Sequence, residues 1–316
     1  MTTLPYLDHD AVLAALRPRD AVAAVAAALR AGLDPAAGVD RATVPLADDG
    51  THLLLMPAAG AGAAAVKVLS VAPGNPARGL PRIQGVCLIF DGTTFAPVAV
   101  LDGAGLTTRR TPAVSVAAAL PRLAACDHAL DVVVFGTGPQ ALEHTATLVD
   151  VLAPSPGIAS VTFVARTPRG LDLPLWPGVA TRLLSGADAT TATRDADVVV
   201  CATTARTPVV HDADVRADAV VIAVGSHELD AWELDPDLLL RSTVVVEEVG
   251  TALREAGDVV HAVARGLDPA TLLTLRDVLV DAVPLPADRP LVVRTVGMAW
   301  EDLVIARAVA TAASAG

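Results

Sequence analysis

Lysine is almost absent from this chain of 316 residues, which contains twenty-two arginines and a single lysine, Lys67. Where only a positive charge is needed, the sequence uses arginine. A lysine ammonium is compact and its pKa falls on burial, whereas a guanidinium is a planar fork that stays protonated. Lys67 follows the apolar run 63–66 and precedes Val68 and Leu69, which predicts a lysine on a mostly buried strand. Either an ammonium is required there, or the stem of Lys67 packs while its head reaches water.

Aromatic residues, cysteines and long hydrophobic runs are also scarce. Aromatics make up 3% of the chain against 53% for all hydrophobic residues, so the core must consist of Ala, Val and Leu. No apolar stretch approaches the ~20 residues of a membrane span, and residues 1–8 contain neither a basic region nor a signal-peptide core. The cysteines are isolated in apolar surroundings, which indicates core residues rather than disulfides or metal ligands: Cys87, Cys126 and Cys201. These absences predict a cytoplasmic protein without a metal site.

Positive charge is in deficit overall. The net charge of −12 argues against nucleic acid or an anionic membrane as the main partner. A small anionic substrate remains compatible with this charge, because a local pair of arginines can outweigh the field of the whole molecule.

The spacing of apolar residues changes twice along the chain. Helical spacing over 9–33 is followed by short runs with turn signals between them, which predict a meander of mostly antiparallel strands. After a predicted helix at 106–125, apolar runs without alternation predict parallel strands covered on both faces. The first set of strands is predicted at 41–46, 51–57, 63–72, 83–90 and 96–101, and the second at 132–135, 160–165, 198–201, 220–224 and 243–246, before a last helix at 297–313. The fold class is therefore α/β, a doubly wound domain plus an α+β domain.

A glycine-rich turn joins the first parallel strand to a helix. Residues 131–135 run into the sequence Gly136-Thr137-Gly138-Pro139-Gln140-Ala141. The first glycine permits a tight turn, the second lets backbone amides approach a pyrophosphate, and the helix N-terminus adds partial positive charge. The placement of this motif between a buried strand and a helix makes it specific, and it predicts a Rossmann-type dinucleotide-binding domain.

The end of the following strand indicates which dinucleotide is bound. An enzyme that reads NAD is expected to carry an acidic residue there, to accept the 2′-hydroxyl of the ribose. This sequence instead has Arg166 and Thr167, with Arg169 close behind, and these groups suit a 2′-phosphate. The sequence thus favours NADP, with NAD possible, unless the arginines are only exposed loop residues.

A series of short segments is spread over nearly all 316 residues in a characteristic order and spacing. These segments are Arg41, Met56-Pro57, Lys67, Pro73-Gly74-Asn75, Gly79-Leu80-Pro81, 106–113, Gly136-Thr137-Gly138, Glu233-Leu234-Asp235, 255–258 and 297–302. In these segments the whole chain resembles the ornithine cyclodeaminase/mu-crystallin family.

The resemblance implies a domain plan and the roles of three residues. Residues 1–125 with 292–316 would form a substrate-binding and dimerisation domain, and residues 126–291 the Rossmann domain of a homodimer. Arg41 and Arg110 would hold the α-carboxylate of a small α-imino or α-amino acid, and Lys67 would contact the same substrate near its reacting carbon. Clamping the carboxylate would aim the substrate Cα at the nicotinamide.

The chain departs from the cyclodeaminases of this family at two positions. After Gly225, expected at the cofactor, the alignment puts His227 at the place of an aspartate believed to accept the amino proton. A histidine there offers no fixed negative charge, although it can act as a general acid or base, and a shift of register would bring in Glu228 or Asp230. Arg82 stands where cyclodeaminases have a small hydroxyl residue, and a second cation in the pocket would disfavour a cationic substrate side chain.

Together these features lead us to expect an NAD(P)H-dependent reductase of an α-imino or cyclic ketimine acid, or the reverse amino-acid dehydrogenase. Two alternatives stay open: an ornithine or lysine cyclodeaminase that releases ammonia, and a crystallin-like protein that binds NADPH without catalysis.

The cofactor hypothesis predicts the effect of Arg166→Asp. The KM for NADPH should rise far more than the KM for NADH, because a charged hydrogen bond worth about 1.5–3 kcal/mol is lost. This corresponds to roughly ten- to hundredfold in steady-state kinetics with both cofactors. A wild type that already prefers NADH would contradict the argument.

Overall fold

The computed structural model describes residues 4–60, 62–168 and 172–315. The chain forms two compact units. The terminal unit contains residues 1–113 and 297–316, and the central unit contains residues 114–296. The sequence suggested divisions at 125 and 292. The structure instead changes unit inside the long helix and after the last strand of the central sheet. Arg169 lies outside the described residues.

The terminal unit begins with a helical segment that is broken in two. The sequence predicted one helix over 9–33, but the structure has α1 (His9–Ala15) and α2 (Pro18–Arg30). Pro18 begins the second helix, and Arg17 before it has extended backbone angles, φ −65° and ψ 154°. A residue before proline disfavours the helical region, so the break follows from the sequence, and the prediction of a single helix was wrong.

A six-stranded sheet forms most of the rest of the terminal unit. Its strand order is β1-β6-β5-β4-β3-β2, with β2 to β6 antiparallel, as predicted, and β1 added parallel to β6. The strands are β1 (Tyr6–Leu7), β2 (Ala42–Pro45), β3 (His52–Gly60), β4 (Ala63–Val71), β5 (Ile83–Asp91) and β6 (Pro97–Asp102). The helix α3 (Gly103–Leu123) starts directly after β6, and α10 (Ala299–Ala315) ends the chain.

Strand β4 shows that one face of the sheet is buried and the other is partly exposed. Its residues alternate between buried and half-buried positions, and Lys67 falls on the buried face. The cross-strand partners of Lys67 on that face are Met56 and Cys87. Helix α10 packs on β3, β4 and β5 within this unit. Lys67 therefore points into the interior of the unit instead of into water.

The central unit is built on an eight-stranded sheet. Its order is β13-β12-β14-β11-β10-β7-β8-β9, and all its pairings are parallel. The strands are β7 (Leu130–Phe135), β8 (Ile158–Ala165), β9 (Ala180–Ser185), β10 (Val198–Cys201), β11 (Val220–Ala223), β12 (Thr243–Val246), β13 (Leu273–Thr274) and β14 (Leu291–Arg294). The helices are α4 (Pro139–Leu152), α5 (Ala189–Asp195), α6 (Pro236–Arg241), α7 (Val249–Glu255), α8 (Gly257–Ala264) and α9 (Leu275–Leu279).

The topology of this sheet reverses at β7. Strands β8 and β9 extend to one side of β7, and β10 and β11 extend to the other. The central strands β10, β11 and β14 are entirely buried, as expected for parallel strands covered on both faces. This arrangement confirms the predicted α/β class with a doubly wound, Rossmann-type unit. In such sheets, ligands bind at the carboxyl ends of the strands where the order reverses.

Candidate active site

Lys67 is completely buried and is paired with a carboxylate from the C-terminal helix. Its side chain has 0% exposure, and Nζ lies 2.7 Å from Oδ1 of Asp302, whose side chain is 1% exposed. The hydroxyl of Thr107 on α3 is the second acceptor, 3.3 Å from Nζ. The interpretation in which the head of Lys67 reaches water is therefore wrong.

Arg110 lies beside this pair and contacts the neighbouring carboxylate. Its Nη1 donates to Oε2 of Glu301 at 2.8 Å, and its Nε is 3.5 Å from Oδ1 of Asp302. Glu301 and Asp302 are both buried and both lie in the first turn of α10, where the helix dipole stabilises negative charge. The two cations, Lys67 and Arg110, and the two carboxylates form a compact cluster, which we call the lysine cluster.

Gly297 lies against the guanidinium of Arg110. A Cβ atom at this position would come within 2.2 Å of Nη1 and 2.7 Å of Cζ, and the φ angle of Gly297 is +82°. Arg41 donates a hydrogen bond to the carbonyl oxygen of the same glycine. Both predicted carboxylate-binding arginines thus contact one turn, and that turn has space for the guanidinium of Arg110 only because residue 297 has no side chain.

The pKa of Lys67 is lowered from its ordinary value, chiefly by burial of the ammonium. Burial lowers the pKa of Lys67, the Asp302 carboxylate raises it, and the Arg110 guanidinium lowers it. The Cys87 thiol on the adjacent strand has its pKa raised to about 12, chiefly by burial. Cys87 is therefore a neutral neighbour and not a nucleophile.

Sequence reasoning did not assign roles to the two carboxylates. Glu301 and Asp302 were recognised only as part of a matching segment, and Thr107 likewise. The available signal was two adjacent acids at the start of an otherwise apolar helix. Such acids must find cationic partners if that helix is buried.

The glycine-rich turn has the geometry that a dinucleotide requires. Gly136 has φ +111°, and a Cβ there would come within 2.4 Å of the carbonyl oxygen of Ala202. Gly138 is the N-cap of α4, and a Cβ built on it meets nothing within 4 Å. Pro139 follows in the first turn, which contains no acidic residue. An open, uncompensated helix N-terminus at the point where the strand order reverses fits a pyrophosphate.

The predicted 2′-phosphate residues follow β8, the strand next to this turn. The amide of Gly136 donates to the carbonyl oxygen of Val164 at 2.9 Å, which places the turn beside the end of β8. Arg166 and Thr167 come immediately after that strand and are both exposed. Their position is compatible with the predicted contact, whereas Arg169 is not described.

A second buried network holds the strand ends on the other side of β7. Arg294 pairs with Asp258, both fully buried, and donates to the carbonyl oxygen of Ser226 at 2.7 Å. Asp258 also accepts from the amides of Glu233 and Leu234. The Glu233 carboxylate accepts from the amides of Thr203 and Gly225, both at 2.7 Å, while burial raises its pKa. This explains the matching segments at 233–235 and 255–258, and it gives Gly225 a packing role.

Among the candidates for the missing aspartate, His227 and Asp230 are exposed and Glu228 is half-buried. His227 lies on the surface immediately after Ser226. Glu228 and Asp230 both form ion pairs with Arg206, the first at 3.1 Å. The guanidinium of Arg206 therefore holds both of these carboxylates on the same loop as His227.

The remaining predictions concern Arg82, metals and membranes. Arg82 is exposed just before β5 and is not part of the lysine cluster. Among the described residues, no three His, Cys, Asp or Glu side chains are grouped as a metal site. The helices of the described ranges include none that is long and apolar enough to cross a membrane.

The fold and these sites define a two-unit protein of the dinucleotide-binding α/β class. The model of the ornithine cyclodeaminase/mu-crystallin family matches residues 10–316, and this chain belongs to that family.

Several named proteins are similar to this chain over most of its length. It is 35% identical to Delta(1)-pyrroline-2-carboxylate reductase 1 of Burkholderia multivorans, over 96% of this chain and 92% of the relative. It is 29% identical to the mouse ketimine reductase mu-crystallin, over 87% of this chain and 85% of that one. A Thermococcus litoralis Delta(1)-pyrroline-2-carboxylate reductase, solved with NADH and L-proline, has the same fold, with a TM-score of 0.88, 24% identity and coverage of 99% and 98%.

The contact between Gly297 and Arg110 predicts an unusually large cost for Gly297→Ala. An alanine at positive φ costs about 1–2 kcal/mol, and displacement of the packed guanidinium should add about 1–3 kcal/mol. The matched control is Gly32→Ala in the same unit, since Gly32 has φ +95° and a Cβ at this position would have nothing within 4 Å. Urea unfolding should show the larger loss for Gly297→Ala, and equal losses would contradict the packing argument.

Proposed function

We propose that this chain is an NAD(P)H-dependent reductase of cyclic α-imino acids of the pyrroline-2-carboxylate and piperideine-2-carboxylate type. The observation that carries the proposal is the lysine cluster, in which a buried ammonium lies beside a guanidinium fixed by its own carboxylate. The relatives named for this activity, at up to 35% identity, support the substrate class. The same residues serve the reverse reaction, the oxidation of a cyclic amino acid.

Arg41 and Arg110 would bind the carboxylate of the imino acid. A planar guanidinium matches a carboxylate through two parallel hydrogen bonds, and a fixed guanidinium loses little freedom on binding. Glu301 fixes Arg110 at 2.8 Å, and the turn at Gly297 places Arg41 close to the same point. Such a clamp would orient the C=N bond with about 1 Å precision, the scale on which reaction rates respond.

Lys67 would supply the proton that imine reduction requires. When bound, the nicotinamide provides the hydride for the imine carbon, and the nitrogen must gain a proton for the product amine to form. Lys67 can donate that proton as an ammonium and recover it in the reverse direction. His227 remains a second candidate for this transfer, and Arg82 remains a candidate for the pocket wall.

The cofactor would lie on the glycine-rich turn, with its pyrophosphate at the N-terminus of α4. The residues proposed to contact it are those of the turn and of the first positions of α4: Gly136, Thr137, Gly138, Pro139 and Gln140. We propose NADP as the preferred form, because no acidic residue follows β8 directly and Arg166 and Thr167 are exposed there. Arg169 belongs to the same proposal, and so does Gly225 at the edge of the nicotinamide site.

A cyclodeaminase remains the second candidate function. A solved structure described as a probable ornithine cyclodeaminase from Bordetella pertussis is 28% identical, with a TM-score of 0.81. Against this candidate, His227 replaces the aspartate expected from the resemblance. A crystallin-like protein without catalysis fits less well, because Lys67, Arg41 and Arg110 are all present and assembled.

Purified protein given NADPH and pyrroline-2-carboxylate or piperideine-2-carboxylate should show a stoichiometric loss of absorbance at ~340 nm. A cyclodeaminase would release ammonia from ornithine or lysine without a net change in that absorbance. Binding of NADPH without turnover across a panel of imino and keto acids would favour the non-catalytic alternative and would contradict the proposal.

We also propose that the enzyme is a homodimer that pairs through the outer face of its six-stranded sheet. Many residues of that face are apolar and remain partly exposed in the isolated unit, as for Val44 at 40%, Val86 at 39% and Val98 at 40%. Val68 and Leu53 lie on the same face, together with the polar residues Ser70 and Gln84. A largely apolar exposed face marks a protein interface, and a second copy offers the same face in return.

Val86→Glu should therefore reduce the apparent mass of the protein from dimer to monomer in light scattering coupled to size exclusion. The control is Val39→Glu, because Val39 is 66% exposed but lies outside the sheet. A monomeric wild type, or dissociation by both substitutions alike, would exclude this face as the interface.

A further inference from the structure

We infer that Asp302 is the positioning residue that keeps Lys67 protonated inside the protein and thereby sets the pH range of its proton transfer. The electrostatic part of this inference concerns only the lysine cluster. Its kinetic consequence rests on the function proposed above.

The geometry gives Asp302 this role among the groups that face Lys67. Its Oδ1 accepts from Nζ at 2.7 Å with both side chains buried, whereas the hydroxyl of Thr107 is neutral and lies at 3.3 Å. Cys87 on the neighbouring strand is a neutral thiol, and Arg110 carries a charge of the same sign. Asp302 is therefore the anion in direct contact with the ammonium, while Glu301 is occupied by Arg110.

Positive charge surrounds the Asp302 carboxylate. It lies in the first turn of α10, a helix of 17 residues whose positive end stabilises a carboxylate. Two cations, Lys67 and Arg110, lie within 3.5 Å of its Oδ1. Its other oxygen, Oδ2, is buried and accepts no hydrogen bond from the described residues. A carboxylate fixed in this position can balance the charge of the buried Lys67 ammonium.

Removal of this anion should make Lys67 lose its proton at lower pH. Burial and the Arg110 guanidinium both lower the pKa of Lys67, and the Asp302 carboxylate is the main opposing influence. In Asp302→Asn the two lowering effects remain, so the midpoint of Lys67 should fall by about 1–3 pH units, the range for loss of an adjacent opposite charge. In imine reduction the protonated form of Lys67 is the donor, so kcat falls when Lys67 loses its proton. The pH at which kcat declines on the alkaline side should therefore be lower in Asp302→Asn by the same number of pH units.

The single lysine makes this measurement direct. Protein labelled with ¹³C at the lysine Cε carries one labelled side chain, because Lys67 is the only lysine in the chain. The Cε resonance changes position when the amine loses its proton, so a pH titration followed by NMR reports the charge of Lys67 without any substrate. Lys67→Arg removes the resonance and assigns it.

Glu301→Gln is the matched control, since Glu301 is the adjacent buried carboxylate on the same helix but contacts Arg110. It should raise the KM for the imino acid and shift the Lys67 midpoint less than Asp302→Asn does. Glu301→Gln should thus change mainly the KM, and Asp302→Asn mainly the pH dependence of kcat. General damage to packing would not produce two different effects from two adjacent carboxylates.

Three outcomes decide the inference. A downward shift of the Lys67 midpoint in Asp302→Asn, larger than in Glu301→Gln, supports it. Equal shifts in the two variants overturn it. A wild-type resonance that already reports a neutral amine near neutral pH also overturns it, even if Asp302→Asn fails to fold. Absence of imine turnover in the wild type would count against the proposed function alone.

Discussion

The pairing of Lys67 with Asp302 is the interaction on which the candidate substrate site depends. An ammonium without exposed surface is costly unless a carboxylate in hydrogen-bond contact compensates it, and loss of one partner of such a pair costs about 3–5 kcal/mol. This requirement fixes which face of β4 is buried and which turn of α10 lies over it. Arg110 and Glu301 satisfy the same requirement one residue away on α10. The last helix, α10, therefore provides both carboxylates of the lysine cluster in addition to its apolar packing surface.

The central unit also contains a buried ion pair, at the ends of its parallel strands. Arg294 and Asp258 are fully buried, and together they reach backbone groups of the segments after β11 and before α6. Glu233 then binds the amides that follow β10 and β11. Strand ends in a doubly wound sheet are irregular, and their backbone groups need partners when they are buried. Buried charged side chains provide those partners here, and they leave the Gly225–His227 loop in a defined place.

The features that the sequence predicted correctly are those whose signal lies in a few adjacent residues. Apolar runs without alternation identified five parallel strands, and the glycine-rich motif identified the turn between β7 and α4, because both signals lie within a few adjacent residues. The strands β9, β13 and β14 were missed. β9 is an edge strand with polar residues, β13 has only two residues, and β14 directly follows a proline-rich loop. The partners of Lys67 and Arg110 were missed for another reason. They lie 235 and 191 residues away along the chain, and no local pattern connects them.

Lys67 and Arg294, both with 0% exposure, differ in the number of acceptors around them. A guanidinium has five N–H donors in a fixed plane and a lysine ammonium has three that rotate. Arg294 is surrounded by oxygens from Asp258 and from the backbone of residues 223, 226 and 295. At Lys67 the described residues provide two acceptors, Asp302 and Thr107. A guanidinium there would leave buried donors without partners, at about 1–3 kcal/mol each. The acceptors around Lys67 therefore match the three donors of an ammonium better than the five donors of a guanidinium.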